Sequence, residues 1–152
     1  MQNVVLENVR IGFRNFSGEE RRYNQDGKRN FVVFLDMNQA AELTHGGWPV
    51  KYLPPREEGG ERQAYLPVAV SFNNYPPRIG MVENDVVTYL DEDTVHLLDR
   101  VQIEKTDLIL SPYNWSVNGK SGVKAYLKTM YATLAYDPLL AKYPQARDED
   151  EM

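Results

Sequence analysis

The feature that most constrains the fold is a strict alternation of apolar and polar side chains near the C-terminus. It follows a tight turn at Asn118-Gly119 and continues through residues 119–134. Successive side chains of a β-strand point to opposite faces, so the alternation predicts a strand with one buried and one exposed face. The buried face consists of Val123, Ala125 and Leu127, and the exposed face consists of Lys124, Tyr126 and Lys128.

The same alternation recurs along the rest of the chain, between segments rich in Gly, Pro, Asn and Asp. It predicts about five or six short strands, some of them joined by tight turns. The extended runs cover residues 4–16, 28–37, 65–72, 79–82, 85–90, 101–110 and 113–118. Apolar residues at helical spacing predict one short helix within residues 92–100, whereas residues 38–43 have room for only a turn or two.

This order of elements predicts a mainly β fold. Short strands with a single helix before the last strands are compatible with a five-stranded oligonucleotide-binding barrel (OB-fold) that carries inserted loops and a hairpin. An immunoglobulin-like sandwich is the competing architecture, but it has no natural place for the helix. We predict one barrel domain over residues 1–143 and a disordered acidic tail over residues 144–152.

Composition restricts the classes of protein. A chain of 152 residues without cysteine is long enough for one domain with its own core, and it excludes disulfides and thiolate metal sites. It has neither an apolar run of membrane-spanning length nor an N-terminal signal pattern, so we expect a cytoplasmic protein that does not enter membranes.

Charge is segregated along the chain. Four carboxylates lie together at the end, and without them the net charge of −5 becomes −1. They are Asp148, Glu149, Asp150 and Glu151. Residues 10–29 carry six basic and three acidic side chains, and residues 108–136 carry three lysines and no acid. Such asymmetry indicates an anionic partner for the basic segments.

Aromatic side chains accompany these cations. A ring between two lysines, as in Lys124, Tyr126 and Lys128, suits a surface that holds phosphates while bases stack; a solvated strand face is the alternative. A second cation–aromatic group, Trp48, Lys51 and Tyr52, lies on an irregular segment flanked by Gly and Pro, which favours a binding loop. The alternative for Trp48 is a place in the core.

Signals for catalysis are weak. His45 and His96 lie far apart without a companion at ligand spacing, so we predict no metal, cofactor or catalytic residue. The Gly119-Lys120-Ser121 sequence lacks the earlier glycine of a phosphate loop and leads into a strand. Acids between Asp85 and Asp93 are explained by helix capping. A metal-dependent nuclease that uses them is the rival from the enzyme class.

Several separated motifs resemble a family of bacteriophage single-stranded-DNA-binding proteins. They are Phe13-Arg14-Asn15-Phe16-Ser17-Gly18, Asn24-Gln25-Asp26-Gly27-Lys28-Arg29-Asn30-Phe31, Gly47-Trp48-Pro49-Val50-Lys51, Pro76-Pro77, Ser111-Pro112-Tyr113-Asn114-Trp115 and residues 119–127. The resemblance covers residues 4–143 and implies an OB-fold, helix-destabilising protein of replication or recombination. Its partner would be single-stranded DNA, bound without sequence preference. The last residue, Met152, departs from the terminal aromatic of better-known members.

The resemblance and the charge pattern together give a set of candidate residues. The cations that would follow the DNA backbone are Arg10, Arg14, Arg21, Arg22, Lys28, Arg29, Lys51, Lys120, Lys124 and Lys128. The aromatics that would stack on bases are Phe16, Trp48, Tyr52, Tyr113, Trp115 and Tyr126, of which alternation favours Tyr126 and Phe16.

Three further points stay open at this stage. The acidic tail would compete with DNA for the groove, recruit replication or recombination proteins, or promote solubility. Association into homo-oligomers is compatible with the sequence. The rival from the binding class is a β-sandwich interaction or virion-associated module that does not bind nucleic acid.

Overall fold

A computed structural model of the chain describes residues 1–20, 27–136 and 138–139. Within these ranges residues 138–139 are helical, and the other regular structure consists of eight β-strands, one α-helix and one 3₁₀ helix. In chain order they are β1 (Val4–Asn15), β2 (Arg29–Leu35), α1 (Met37–His45), β3 (Lys51–Tyr52), β4 (Ala64–Val70), β5 (Arg78–Glu83), β6 (Val86–Leu90), the 3₁₀ helix (Val95–Asp99), β7 (Ile103–Val117) and β8 (Lys120–Leu134).

Five of the strands close into a barrel. They lie in the order β4-β2-β1-β7-β8, and β8 returns to pair in parallel with β4, where Val68 is opposite Ala125 and Ala69 is opposite Tyr126. All other pairings within the barrel are antiparallel. This five-stranded closed barrel with mixed pairing is the OB-fold that the sequence predicted, and the sandwich alternative is wrong because the sheet closes on itself.

The core follows the alternation of the strands. In β2 and β4 the inward side chains include Phe31, Val33, Leu66 and Val68, all essentially inaccessible to solvent. Because their neighbours in sequence point outward, each barrel strand presents a second set of side chains on the outer surface. That outer surface is where the candidate site lies.

The helices differ from the prediction. The α-helix is α1, after β2, where the sequence predicted only a turn or two; the late element is a short 3₁₀ helix. Asp36 stabilises the start of α1 as its N-cap. Its side chain accepts a 2.7 Å hydrogen bond from the Gln39 N–H, and Gln39 Oε1 accepts a 3.1 Å hydrogen bond from the Asp36 N–H. This reciprocal cap fixes the first turn. No helix among the described residues has the length and apolarity to cross a membrane.

Strand β7 continues where the sequence predicted a break. Pro112 was expected to end a strand, yet it lies inside β7 and pairs with Ala125 of β8. On the edge of β7 that faces β1, the pairing ends at Leu110. Pro112 therefore has no β1 neighbour to which an N–H would donate, and its missing N–H costs no hydrogen bond with β1. The β7–β8 hairpin therefore extends beyond the barrel and turns at Asn118 and Gly119, both with positive φ.

A second hairpin, formed by β5 and β6, is attached to the outside of the barrel. Its turn is at Asn84 and Asp85, which both have positive φ, and β5 pairs in parallel with the second half of β8 from Thr129 to Thr133. The first half of β8 thus closes the barrel, while its second half extends the sheet to β6.

Candidate functional site

The outer face at the junction of β7 and β8 brings aromatic and basic side chains together. The Lys124 ammonium lies 5.4 Å from the centre of the Tyr126 ring. Tyr113 meets the same ring edge-on, with 5.8 Å between ring centres. Ala125 and Leu127 point into the core, as the alternation predicted, whereas Val123 is only half-buried and the inward side changes to Met130 and Ala132 further along the strand. We call Tyr113, Lys124 and Tyr126 the tyrosine cluster.

A groove of about 1080 Å³ lies beside the tyrosine cluster. Its lining includes Tyr113, Tyr126 and Lys128, and the loop between β4 and β5 contributes Tyr75, which is 91% exposed. Arg78, the first residue of β5, also lines it. Flat rings with exposed edges and cations around an open groove are suited to an extended anionic ligand. We call this space the β8 groove.

Trp115 extends the aromatic surface along the hairpin. It is opposite Gly122 in the β7–β8 register, and its ring lies so close over that residue that a Cβ at position 122 would be 2.7 Å from it. The glycine therefore leaves room for the indole to lie flat on the strand, 36% exposed. Lys120 is exposed at the start of β8, next to the hairpin turn.

A second group of rings and cations lies on the outer face of β1 and β2. The Arg10 guanidinium is 4.8 Å from the centre of the Phe34 ring. The centres of the Phe13 and Phe34 rings are 6.0 Å apart. Phe34 covers Gly12, where a Cβ would be 2.4 Å from its ring. These side chains line a groove of about 660 Å³ together with Arg62. We call Arg10, Phe13 and Phe34 the phenylalanine cluster.

The strand register connects the two clusters. Phe34 is opposite Tyr65, and Tyr65 is opposite Lys51 on the edge strand β3. Tyr65, Pro67 and Ala69 are alternate residues of β4 and therefore lie on the same face, and Ala69 is opposite Tyr126. Paired residues share a face of the sheet, so the outer surface runs from the phenylalanine cluster across the small side chains of β4 to the tyrosine cluster.

Two aromatic residues predicted to stack on bases are buried, so those predictions are wrong. Phe16 has no exposed surface, and its ring stacks on Phe31 at 5.2 Å. Trp48, 7% exposed, belongs to the core. For Phe16 the cause is a register shift between Gly12 and Asn15, which reverses the alternation that put it on the outer face.

Two of the predicted backbone-binding arginines have structural roles instead. Arg14 donates from Nη1 to the carbonyl oxygens of Leu98 and Val101, at 2.7 and 2.8 Å. Arg29 donates from Nε to the Phe16 carbonyl at 2.9 Å and lies 3.6 Å from the Glu92 carboxylate. These bonds connect β1 and β2 to the 3₁₀ helix region, so we leave both arginines out of the site.

The remaining predicted residues fall into two groups. Lys28, Lys51, Tyr52, Lys120 and Lys128 are exposed, and Tyr52 lies under the Arg62 guanidinium at 5.3 Å. Arg21, Arg22 and the tail residues Asp148, Glu149, Asp150 and Glu151 lie outside the described residues, as does the boundary predicted between residues 143 and 144.

Sequence reasoning missed several residues on the outer surface of the site, some exposed and some half-buried. The principal ones are Phe13, Phe34, Tyr65, Tyr75 and Arg78. The signal for Phe34 was present, since it alternates with the core residues Val33 and Leu35 and so faces outward. Phe13 carried a misleading signal, because alternation placed it inside whereas its positive φ at the register shift turns it to solvent.

Among the acids considered for a metal-dependent reaction, Asp91 orders the chain before the 3₁₀ helix. Asp91 Oδ1 accepts hydrogen bonds from the N–H groups of Asp93 and Thr94 and from the Thr94 hydroxyl, at 2.9, 3.1 and 3.0 Å. Within the described ranges, no three His, Cys, Asp or Glu side chains are grouped so that they could hold a metal ion. The absence of catalysis stays a prediction.

An OB barrel whose outer face carries exposed rings and cations defines a class of nucleic-acid-binding modules. The chain belongs to the phage ssDNA-binding domain family, whose model matches residues 1–152. No curated protein matches the sequence.

Solved structures with the same fold include the single-stranded DNA-binding protein from bacteriophage Enc34. Its complex with ssDNA gives a TM-score of 0.57 at 10% identity, covering 90% of this chain and 89% of that one. Its C-terminally truncated form gives a TM-score of 0.56 at 10% identity, covering 90% of this chain and 88% of that one. A further structure of the protein gives a TM-score of 0.55 at 8% identity, covering 90% of this chain and 83% of that one. At this identity the similarity supports the barrel and not individual contacts.

Proposed function

We propose that this chain binds single-stranded DNA without sequence preference and protects it during phage DNA replication or recombination. The observation that carries the proposal is the tyrosine cluster beside the β8 groove. There, the exposed Tyr113 ring, the half-buried Tyr126 ring and a lysine lie on one continuous outer face of an OB barrel. Membership of the phage ssDNA-binding domain family and the fold of the Enc34 protein support the same ligand.

Each kind of side chain has a defined part in this mechanism. Bases stack on Tyr113, Tyr126 and Trp115, and stacking is tolerant of sequence because every base offers a flat face. Phosphates pair with Lys124 and Lys128, and each contact releases counterions from the nucleic acid. Affinity therefore falls as salt rises, with a slope that counts the neutralised phosphates.

The same geometry explains preference for single strands. A base in a duplex is stacked on its neighbours and paired with its partner, so its faces are not available to Tyr113 or Tyr126. Unpairing and unstacking it has a free-energy cost that a single strand does not have. Binding the separated strand would also make the protein helix-destabilising, as the family resemblance implies.

The direct test is a fluorescence titration with oligo-dT of about 20 nucleotides, longer than the site of a typical OB-fold. We expect quenching that comes from Trp115, because Trp48 is buried in the core. A duplex of equal length should bind far more weakly, and rising salt should weaken both. Trp115→Phe serves as control, since it should remove most of the quenching while anisotropy with labelled DNA still detects binding.

Two results would overturn the proposed function. One is equal affinity for single strand and duplex at low salt. The other is no binding to either, which is the result expected of an interaction or virion-associated module.

A second prediction concerns the acidic tail. Removing residues 147–152 should tighten binding to oligo-dT, because the four carboxylates at the end of the chain would otherwise compete with phosphates for the basic groove. The gain should be largest at low salt, where charges interact over longer distances. Unchanged affinity across salt would leave the tail a role in solubility or in recruiting replication or recombination proteins.

A further inference from the structure

A third group of aromatic and basic side chains lies outside the five-stranded barrel, on the β5–β6 hairpin and the second half of β8. Its members are Arg78 on β5, Tyr89 on β6 and Tyr131 on β8. Gly80 is opposite Tyr89 on one side and Tyr131 on the other, so both rings lie on the same face of this three-stranded part of the sheet.

The two rings form a fixed pair. The Tyr89 and Tyr131 hydroxyl groups are 3.1 Å apart, and the rings meet edge to face with 6.1 Å between their centres. A Cβ on Gly80 would be 2.7 Å from the Tyr131 ring, so this ring lies directly on the strand. Tyr89 remains 59% exposed above it. The exposed ring is therefore held in place without being covered.

This pair continues the surface of the β8 groove. Ala125 and Leu127 point inward in the first half of β8, but Met130 and Ala132 do so in the second half. The change of parity coincides with a register shift opposite Ile109 and Leu110. As a result Tyr131 faces outward, as Tyr126 does, about 16 Å further along the strand at the usual rise per residue.

Arg78 connects the groove with the ring pair. It is opposite Thr129 of β8, and both residues line the β8 groove. Two residues further along these strands are Gly80 and Tyr131. The acidic residues of the hairpin, Glu83 and Asp85, lie at its turn, at the opposite end of β5 from Arg78.

The charges at the pair favour an anionic ligand. The hydrogen bond with Tyr131 is the main cause that raises the pKa of the Tyr89 phenol above its ordinary value of 10.0, and partial desolvation acts in the same direction. The positive charge of Arg78 acts in the opposite direction and is the smallest of the contributions to this pKa. At neutral pH the phenol is uncharged and does not repel a phosphate.

We propose that Arg78, Tyr89 and Tyr131 form an additional nucleotide subsite, outside the barrel, for the strand that leaves the β8 groove. A base stacks on the exposed Tyr89 ring, Tyr131 positions that ring, and Arg78 pairs with the adjoining phosphate. The inference rests on the proposed single-stranded DNA binding, and it assigns the hairpin inserted between β4 and β7 a part in that binding.

The test compares the affinity of wild type and Tyr89→Ala for oligo-dT of about 6 and about 20 nucleotides, by anisotropy. We expect the variant to bind the 20-mer about tenfold more weakly, within the range of one lost base stack. The 6-mer should change by less than about twofold, because the barrel holds it without the hairpin. Arg78→Ala should lower the salt slope for the 20-mer by about 0.7, the value for one phosphate of a single strand.

Two controls separate the subsite from general effects on the hairpin. Tyr89→Phe keeps the ring and should retain the affinity for the 20-mer. Val86→Ala changes an exposed residue on the opposite face of β6 and should also leave binding unchanged. The melting temperature of each variant shows whether the hairpin remains folded.

The possible results are distinct. Unchanged affinity of Tyr89→Ala for the 20-mer overturns the subsite, and so does an equal loss for both lengths, which would mean a disturbed β8 groove. Unchanged affinity with altered sedimentation would make the hairpin a protein interface and overturns it as well. If wild type binds neither oligonucleotide, the proposed function itself fails. If wild type binds both, the comparison with Tyr89→Ala tests the subsite alone.

Discussion

Tyr126→Ala is expected to weaken binding to oligo-dT by roughly 5- to 150-fold, the range that corresponds to losing about 1–3 kcal/mol for one stacked base. The ring lies at the centre of the proposed path, since it contacts Tyr113 and Lys124 and its strand position is opposite Ala69 of β4. Its loss also removes the surface against which Lys124 is placed. The measurement is an anisotropy titration at fixed salt.

Matched variants show whether the ring itself is responsible. Tyr126→Phe keeps the flat surface and should bind within about twofold of wild type. Tyr136→Ala removes another exposed tyrosine, which lines a separate hollow near Glu83 and Asp85, and should leave affinity unchanged. If Tyr126→Ala bound as tightly as Tyr136→Ala, the tyrosine cluster would not be the stacking surface.

Phe16→Ala should have a large effect of a different kind. We expect it to lower the free energy of unfolding by about 3–5 kcal/mol, the usual cost of truncating a fully buried phenylalanine. The ring has no exposed surface and stacks on Phe31. A loss of this size is a large part of the stability of an ordinary domain. Urea unfolding followed by circular dichroism measures it.

The same variant decides between two interpretations of Phe16. Below its melting temperature the folded protein should bind oligo-dT with nearly wild-type affinity, because the ring does not reach the surface. Phe16→Leu should cost less stability and serves as the intermediate case. A variant that kept full stability but lost DNA binding would restore Phe16 as a stacking residue, as the sequence alone suggested.

The contrast between Tyr126 and Phe16 shows what alternation in a sequence can predict. Around Tyr126 the alternation is unbroken, and the closure of β8 on β4 keeps Ala125 and Leu127 inside. Before Phe16 the register shifts, and Phe13 takes a positive φ that no residue in this segment signals. One extra residue in a strand reverses every later assignment.

The site was less predictable than the fold. Turn signals and short strands were sufficient for a mainly β barrel, whereas the continuous outer surface depends on which strands become neighbours. That Tyr65 lies opposite Phe34, and Ala69 opposite Tyr126, follows from barrel closure between segments distant in sequence. Likewise, the roles of Arg14 and Arg29 depend on carbonyls of the 3₁₀ helix region that no local pattern indicates.

Three rings on the outer surface, one exposed and two half-buried, lie directly over glycines. Phe34 covers Gly12, Tyr131 covers Gly80 and Trp115 covers Gly122, each so closely that a methyl group would collide. A ring held in this way has already lost most of its rotational freedom in the unbound protein. The conformational entropy lost on association should then come mainly from the flexible nucleic acid. Enlarging one of these glycines should therefore alter DNA binding even though glycine itself has no side chain to contact DNA.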